Sequence, residues 1–156
     1  MKKIMIVDDN YLSAEGIEKN IDWETLNAEI IHVCYNGTSA IEAMKKEPAD
    51  LIISDIEMPD LDGISMSRQA LEINPMVKII LISAYDKFEY ARRALLLGAL
   101  DYIEKPLDYA YLIQKVKNAF ALMEKEQKNL QLLKQSRPLL TEKFFREITQ
   151  LPSSEA

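Results

Sequence analysis

Residues 51–59 read LIISDIEMP: Leu51 to Ser54 carry no charge, and the run stops on Asp55. A short uncharged run rich in β-branched side chains is the pattern of a strand covered on both faces, as in a parallel sheet. An ionised carboxylate has no place inside such a layer unless it is paired, so Asp55 belongs at the outlet of the strand. Residues 4–10, IMIVDDN, end in the same way on Asp8 and Asp9. Two such endings in one short chain imply that Asp8, Asp9 and Asp55 meet.

The pattern recurs along the chain. Lys3–Val7, Glu29–Val33, Leu51–Ser54, Lys78–Ser83 and Asp101–Ile103 read as strands, and most are continuously apolar rather than alternating. Helical spacing separates them over residues 12–21, over 39–47 after an Asn36-Gly37 turn, over 64–73, over 87–98 and from Tyr109 onward. Gly98 suits the residue just past a helix end. Strand and helix alternating in series predict a doubly wound α/β domain of about 120 residues with right-handed crossovers. The functional crevice of such a sheet lies beyond the carboxyl ends of its strands. If the first and third strands are neighbours, Asp8, Asp9, Asp55, Ser83 and Lys105 converge on one rim.

Composition bounds what the rim serves. The chain has 156 residues, 48% hydrophobic and 28% charged, with a net charge of −6. That balance is poor for gripping nucleic-acid phosphates without a further domain. No apolar run approaches a membrane span, and MKKIMIVDDN reaches acid too early for a secretory signal, so a cytoplasmic protein is expected. Cys34 and His32 are single, so neither a disulfide nor a Cys/His zinc site can form within the chain. Both read as ordinary strand residues. Trp23 reads as a packing anchor between the first helix and the second strand, and Met58, Met66 and Met76 as packing residues.

Crowded carboxylates cannot all stay ionised unless a cation offsets them, and an all-oxygen set suits Mg²⁺. Lys105 and Ser83 add an ammonium and a hydroxyl, an anion clamp suited to a phosphoryl group. No Walker loop and no GxGxxG is present to bind a nucleotide. Each residue alone has a plainer use. Asp8 or Asp55 would cap a helix, Pro59 and Gly63 would turn a loop, Lys105 would sit in solvent, and Tyr102 would pack at an edge. Ser83 would cap the fourth helix less well than Asp86.

The set VDDN, SDIEMPDLDG, LISAYD and DYIEKPLD, over about residues 1–122, resembles the receiver domain of two-component response regulators. The resemblance implies a flavodoxin-like five-stranded parallel sheet in the order 2-1-3-4-5. It implies Asp55 as phospho-acceptor, and Asp8, Asp9, Asp55 and the backbone carbonyl of Glu57 as Mg²⁺ ligands. Ser83 and Lys105 would meet the phosphoryl group, and Tyr102 would change rotamer with Ser83. A cis Lys105–Pro106 bond would aim the lysine at the rim. The implied role is a non-enzymatic signalling switch fed by a sensor histidine kinase. A Mg²⁺-dependent phosphohydrolase is disfavoured because no DxD acid–base pair follows a nucleophile. A phosphorylation-independent adaptor is disfavoured by the complete Asp55–Ser83–Lys105 set. The wording from Tyr85 to Pro106 further resembles receivers joined to AraC-type helix-turn-helix domains.

Neither Gly nor Pro occurs between Leu107 and Arg137, so the last helix is expected to run on toward Pro138, well past residue 122. Residues 123–156 are then an extended helix and linker toward an output domain that is missing here and would supply all DNA contact. Leu112, Val116, Ala119, Met123, Leu130 and Leu133 keep a 4-3 spacing that Glu126 interrupts, the pattern of a short coiled-coil seam. Leu139, Leu140, Phe144, Phe145 and Ile148 have little core left to cover. A homodimer is expected through the last helix, or through the face of the fourth helix, fifth strand and fifth helix.

Overall fold

A computed structural model describes residues 1–84 and 88–135. Strands β1 (Lys2–Val7), β2 (Ala28–Cys34), β3 (Leu51–Asp55), β4 (Lys78–Ser83) and β5 (Asp101–Glu104) form one parallel sheet in the order β2-β1-β3-β4-β5. Helices α1 (Tyr11–Asn20), α2 (Gly37–Lys46), α3 (Gly63–Ile73), α4 (Phe88–Leu97) and α5 (Tyr109–Gln135) follow the strands in turn. The doubly wound architecture expected from the alternation is the one observed.

Burial explains why the strands read as continuous apolar runs. Successive strand residues point to opposite faces, and on β1, β3 and β4 both faces are covered. Met5, Val7, Ile52, Ile79 and Leu81 join one core with residues of α2, α3 and α4, such as Met44, Met66 and Ala94. Ile4, Ile6, Ile53 and Ile80 are equally buried on the other face, as are Ala14 and Ile17 of α1 and Leu112 and Val116 of α5. Gly16 lets α1 approach α5 closely, since a Cβ there would strike the Tyr109 hydroxyl.

The helix starts show what the aspartates do not do. Asn10, Asn36 and Asp62 are the N-caps of α1, α2 and α3, their side chains accepting from the backbone N–H of Ser13, Ser39 and Ser65. Asp8 and Asp55 cap no helix and stay available to the rim. Asp86, expected to cap the fourth helix, lies outside the described residues. The φ of +96° at Gly98 is the left-handed conformation expected just past α4. Trp23 is buried, and its indole Nε1 donates to the Ile17 carbonyl at 3.2 Å. Met58 and Met66 are buried as expected, whereas Met76 is half exposed. Burial pushes the Cys34 thiol up to about 11, leaving it an inert strand residue.

α5 has 27 residues, about 40 Å of helix, and is extended as expected. Its apolar stripe is not one seam, however. Leu112, Val116 and Ala119 are fully buried within the compact unit Met1–Ala119, so the first half of the 4-3 spacing serves the domain's own core. Leu130, Leu132 and Leu133 are exposed. Pro138, Leu139, Leu140, Phe144, Phe145 and Ile148 lie outside the described residues.

Candidate functional site

The register carries the acidic ends together. Val7 pairs with Ser54 across β1 and β3, so Asp8 and Asp55 leave the sheet side by side. One carboxylate oxygen from each of Asp8, Asp9 and Asp55 lies within 4.8 Å of the others. Asp8 and Asp55 are buried, while Asp9 is exposed. Asp8 also accepts from the backbone N–H of Asn10 at 2.9 Å, and Asp55 accepts from that of Ile56 at 2.8 Å.

Lys105 reaches this cluster from the end of β5. Its Nζ stands 3.2 Å from Asp8 Oδ2 and 3.5 Å from Asp55 Oδ2. Its backbone N–H donates to the Ser83 carbonyl at 2.8 Å, tying the lysine loop to the end of β4. The Lys105–Pro106 peptide is cis, as expected. Ser83 is fully buried and follows Ile82, the register partner of Asp55. Tyr102 pairs with Leu81 and packs against the core on the α2–α4 face. Glu57 lines a cleft of about 450 Å³ beside Asp9.

The charges do not cancel. Burial pushes the Asp55 carboxyl up to about 6; Lys105 and the Ile56 N–H oppose this, while Asp8 and Asp9 add to it. Burial works to lower the Lys105 ammonium, but Asp55 and Asp8 outweigh it and the group is held above its ordinary value. Among the described residues one cation, Lys105, is paired with the clustered acids, and a divalent ion would relieve the remaining repulsion at Asp55. The donors are all oxygen, as a hard cation requires. The residues therefore fit Mg²⁺.

The β3–α3 loop is held from two sides, which reading PDLDG as a turn missed. The Asp60 carboxylate accepts from the backbone N–H of Gly37 at 3.3 Å and of Thr38 at 3.2 Å, bracing the loop to the start of α2. Its hydrogen bond with the Thr38 side chain, more than its other contacts, holds the Asp60 carboxyl below the usual range. Gly63 donates to the Ile56 carbonyl at 2.7 Å, and a Cβ on Gly63 would lie 2.1 Å from the Asp55 carbonyl oxygen. Tyr90 and Arg93 of α4 line the cleft as well. No sequence signal marks Arg93, since it and Arg92 are adjacent arginines on one helix.

A family model described as the response regulator receiver domain matches residues 4–117. The transcriptional regulatory protein YesN of Bacillus subtilis (strain 168) is 29% identical over 126 residues, 81% of this chain and 34% of YesN. The transcriptional regulatory protein HptR of Staphylococcus aureus (strain NCTC 8325 / PS 47) is 30% identical over 112 residues, 72% of this chain and 44% of HptR. The chain thus spans less than half the length of these relatives. Among solved structures, the receiver domain of AraT, a response regulator from Geobacillus stearothermophilus, is similar with a TM-score of 0.76 at 34% identity. That likeness covers 81% of this chain and 98% of the AraT chain. A two component transcriptional regulator AraC from Clostridium phytofermentans ISDg has a TM-score of 0.73 at 30% identity, covering 83% of this chain and 99% of its own. With most of its length matched by the family model and its sheet in the order β2-β1-β3-β4-β5, this chain belongs to the response regulator receiver domain family.

Proposed function

We propose that the chain is the phosphoryl-accepting switch of a two-component transcriptional regulator, taking the group on Asp55 from a sensor histidine kinase. The observation that supports this most directly is the Lys105 ammonium set between the Asp8 and Asp55 carboxylates. Asp8, Asp9, Asp55 and the Glu57 carbonyl would hold Mg²⁺, which when bound supplies positive charge to the oxygens of the transferring phosphoryl group. The Asp55 oxygen attacks phosphorus in line with the departing atom. Lys105 meets the equatorial oxygens with an ammonium already in place, so little reorganisation accompanies transfer. The Ser83 hydroxyl moves toward a phosphoryl oxygen and donates to it, vacating space that the Tyr102 ring enters. Phosphorylation then favours one of two packings of the α4–β5–α5 face.

In this reading residues 1–122 are the receiver, and residues 123–156 lead toward a DNA-binding output domain of AraC type. The transcriptional regulators YesN and HptR, of which the chain spans 34% and 44%, support that extension. Among the described residues no helix is long and apolar enough to cross a membrane, and we place the switch in the cytoplasm.

Incubation with acetyl phosphate and Mg²⁺ followed by intact-mass measurement tests the proposal. The expected product is a single phosphoryl adduct that Asp55→Asn abolishes and Asp9→Ala suppresses. Full labelling of the Asp55→Asn protein would overturn the assignment. Sustained release of inorganic phosphate with turnover would favour a phosphohydrolase instead, and an unlabelled wild type a phosphorylation-independent adaptor.

A further inference from the structure

We propose that Asp60 is a positioning residue of the metal site: by gripping the start of α2 it fixes the β3–α3 loop that presents the Glu57 carbonyl, and so raises the affinity of the rim for Mg²⁺. The inference rests on the reading of Asp8, Asp9, Asp55 and the Glu57 carbonyl as Mg²⁺ ligands. Asp60 reaches 23 and 22 residues back along the chain, its Oδ1 accepting from the Gly37 N–H and its Oδ2 from the Thr38 N–H. The Thr38 side chain adds a further hydrogen bond. The first N–H groups of a helix have no partner within it. The Ser39 N–H is met locally by the Asn36 side chain at 2.8 Å. The carboxylate that takes Gly37 and Thr38 comes instead from the loop that follows the acceptor. The two segments touch, since a Cβ on Gly37 would strike the Leu61 carbonyl oxygen.

What lies between this grip and β3 gives it a task. The inner end of the loop is fixed at Ile56, whose N–H donates to the Ile82 carbonyl at 3.0 Å and whose carbonyl accepts from Gly63 at 2.7 Å. The outer end is fixed at Asp60. Glu57, Met58 and Pro59 alone span the interval. Met58 is buried, and the Pro59 ring locks its own φ. So short a span, held at both ends, leaves the Glu57 peptide few orientations, and Glu57 lines the same cleft as Asp9. Release of Asp60 frees the outer end. The competent loop conformation is then only fractionally populated, and apparent affinity falls by that fraction. Groups that hold metal ligands from behind typically contribute 10–100-fold to metal affinity. Such coupling is reciprocal, so bound Mg²⁺ in turn keeps the grip closed.

The test is Mg²⁺ titration calorimetry on the wild type, Asp60→Ala, Thr38→Ala and Thr38→Ser, with urea unfolding in chelator beside each. Asp60→Ala is expected to weaken Mg²⁺ binding about tenfold, the low end of the range because the grip acts through three intervening residues. Thr38→Ala changes no charge and is expected to weaken it about threefold, as loss of one hydrogen bond allows, with Thr38→Ser restoring it. Removing the exposed Asp60 anion also subtracts some attraction for a cation. At about 1 M salt, where the screening length is about 3 Å, that part vanishes and the positioning part remains. Amide hydrogen exchange gives a second readout. Saturating Mg²⁺ should slow exchange at Gly37 and Thr38 of the wild type and leave Ser39, held by Asn36, nearly unchanged. In Asp60→Ala it should slow neither. Wild-type Mg²⁺ affinity in Asp60→Ala at high salt, whatever its stability, overturns the proposal, as does exchange at Gly37 and Thr38 that ignores Mg²⁺. Were Asp60→Ala to unfold, Thr38→Ala decides, wild-type affinity refuting it. Failure of the underlying reading looks different: the wild type binds no Mg²⁺, or Asp55→Asn binds it as tightly.

Discussion

The Asp55 carboxyl, pushed up to about 6 from an ordinary 3.8 chiefly by burial, makes its ionised form costly to the folded protein. Below about pH 4 the group is protonated in both the folded and unfolded states and contributes no penalty. As pH rises from there to about 6, the unfolded chain releases its proton first, so the metal-free domain loses stability through that window. The loss is complete above it and amounts to at most about 3 kcal/mol. Asp55→Asn should therefore be the more stable protein at pH 7 in the presence of a chelator, by roughly 1–3 kcal/mol, with the gap closing near pH 4. Urea unfolding across this range checks it, and a wild type more stable at pH 7 would refute it. Added Mg²⁺ should stabilise the wild type and have far less effect on Asp55→Asn. Ser83 is fully buried at the end of β4, one residue past the register partner of Asp55, and in the proposed switch it separates chemistry from response. Ser83→Ala should still accept a phosphoryl group, more slowly, while the Tyr102 ring keeps its unphosphorylated NMR shifts. A Tyr102 response equal to that of the wild type would remove Ser83 from the switch.

At the scale of elements, two glycines fail under substitution for different reasons. Gly98 has a φ of +96° and nothing within 4 Å of a built Cβ, so an alanine there meets only backbone strain, about 1–2 kcal/mol. A Cβ on Gly63 would lie 2.1 Å from the Asp55 carbonyl oxygen, so its cost is steric, roughly 1–3 kcal/mol, and displaces the backbone at the end of β3. Both alanine variants should unfold at lower urea, but only Gly63→Ala should also weaken Mg²⁺ binding by titration calorimetry. Equal Mg²⁺ affinity in the two would show that the loop adjusts without moving Asp55. The same local physics sets what the sequence revealed. β1, β3 and β4 were legible because burial on both faces keeps Ile4 to Val7, Leu51 to Ile53 and Ile79 to Ile82 continuously apolar. Helix starts differ by a residue or two because Asn10, Asn36 and Asp62 do the capping, and not Asp8 or Asp55. The rim itself was legible, since parallel topology alone brings strand ends together. Arg93 was not, because its place in the cleft depends on how α4 lies against the β3–α3 loop. Nor does 4-3 spacing distinguish a core-facing stripe from an interhelical seam, which is why Leu112, Val116 and Ala119 were misjudged.

At the scale of the whole molecule, the outer half of α5 bears on assembly. Met123, Leu130 and Leu133 retain the heptad spacing, with Leu130 and Leu133 exposed and Leu132 beside them more exposed still. With the inner half of the stripe committed to the domain core, only about three turns are left to pair, and Glu126 interrupts them. So short a seam is marginal by itself. Parallel pairing is nonetheless the arrangement that would deliver two output domains together to paired DNA half-sites. The expected result is a weak, concentration-dependent dimer, strengthened on phosphorylation and lost in Leu130→Lys and Leu133→Lys. Neither substitution should alter labelling of Asp55, because both lie far along the chain from the rim. The competing surface is α4, where Leu95 and Leu96 are 69% and 75% exposed. Sedimentation of the phosphorylated protein separates the two. A dimer abolished by Leu130→Lys and untouched by Leu96→Glu assigns assembly to α5, and the reverse pattern assigns it to the α4–β5–α5 face. A monomer at the highest concentration, indifferent to every substitution, would leave the long helix as a connector whose pairing depends on the output domain.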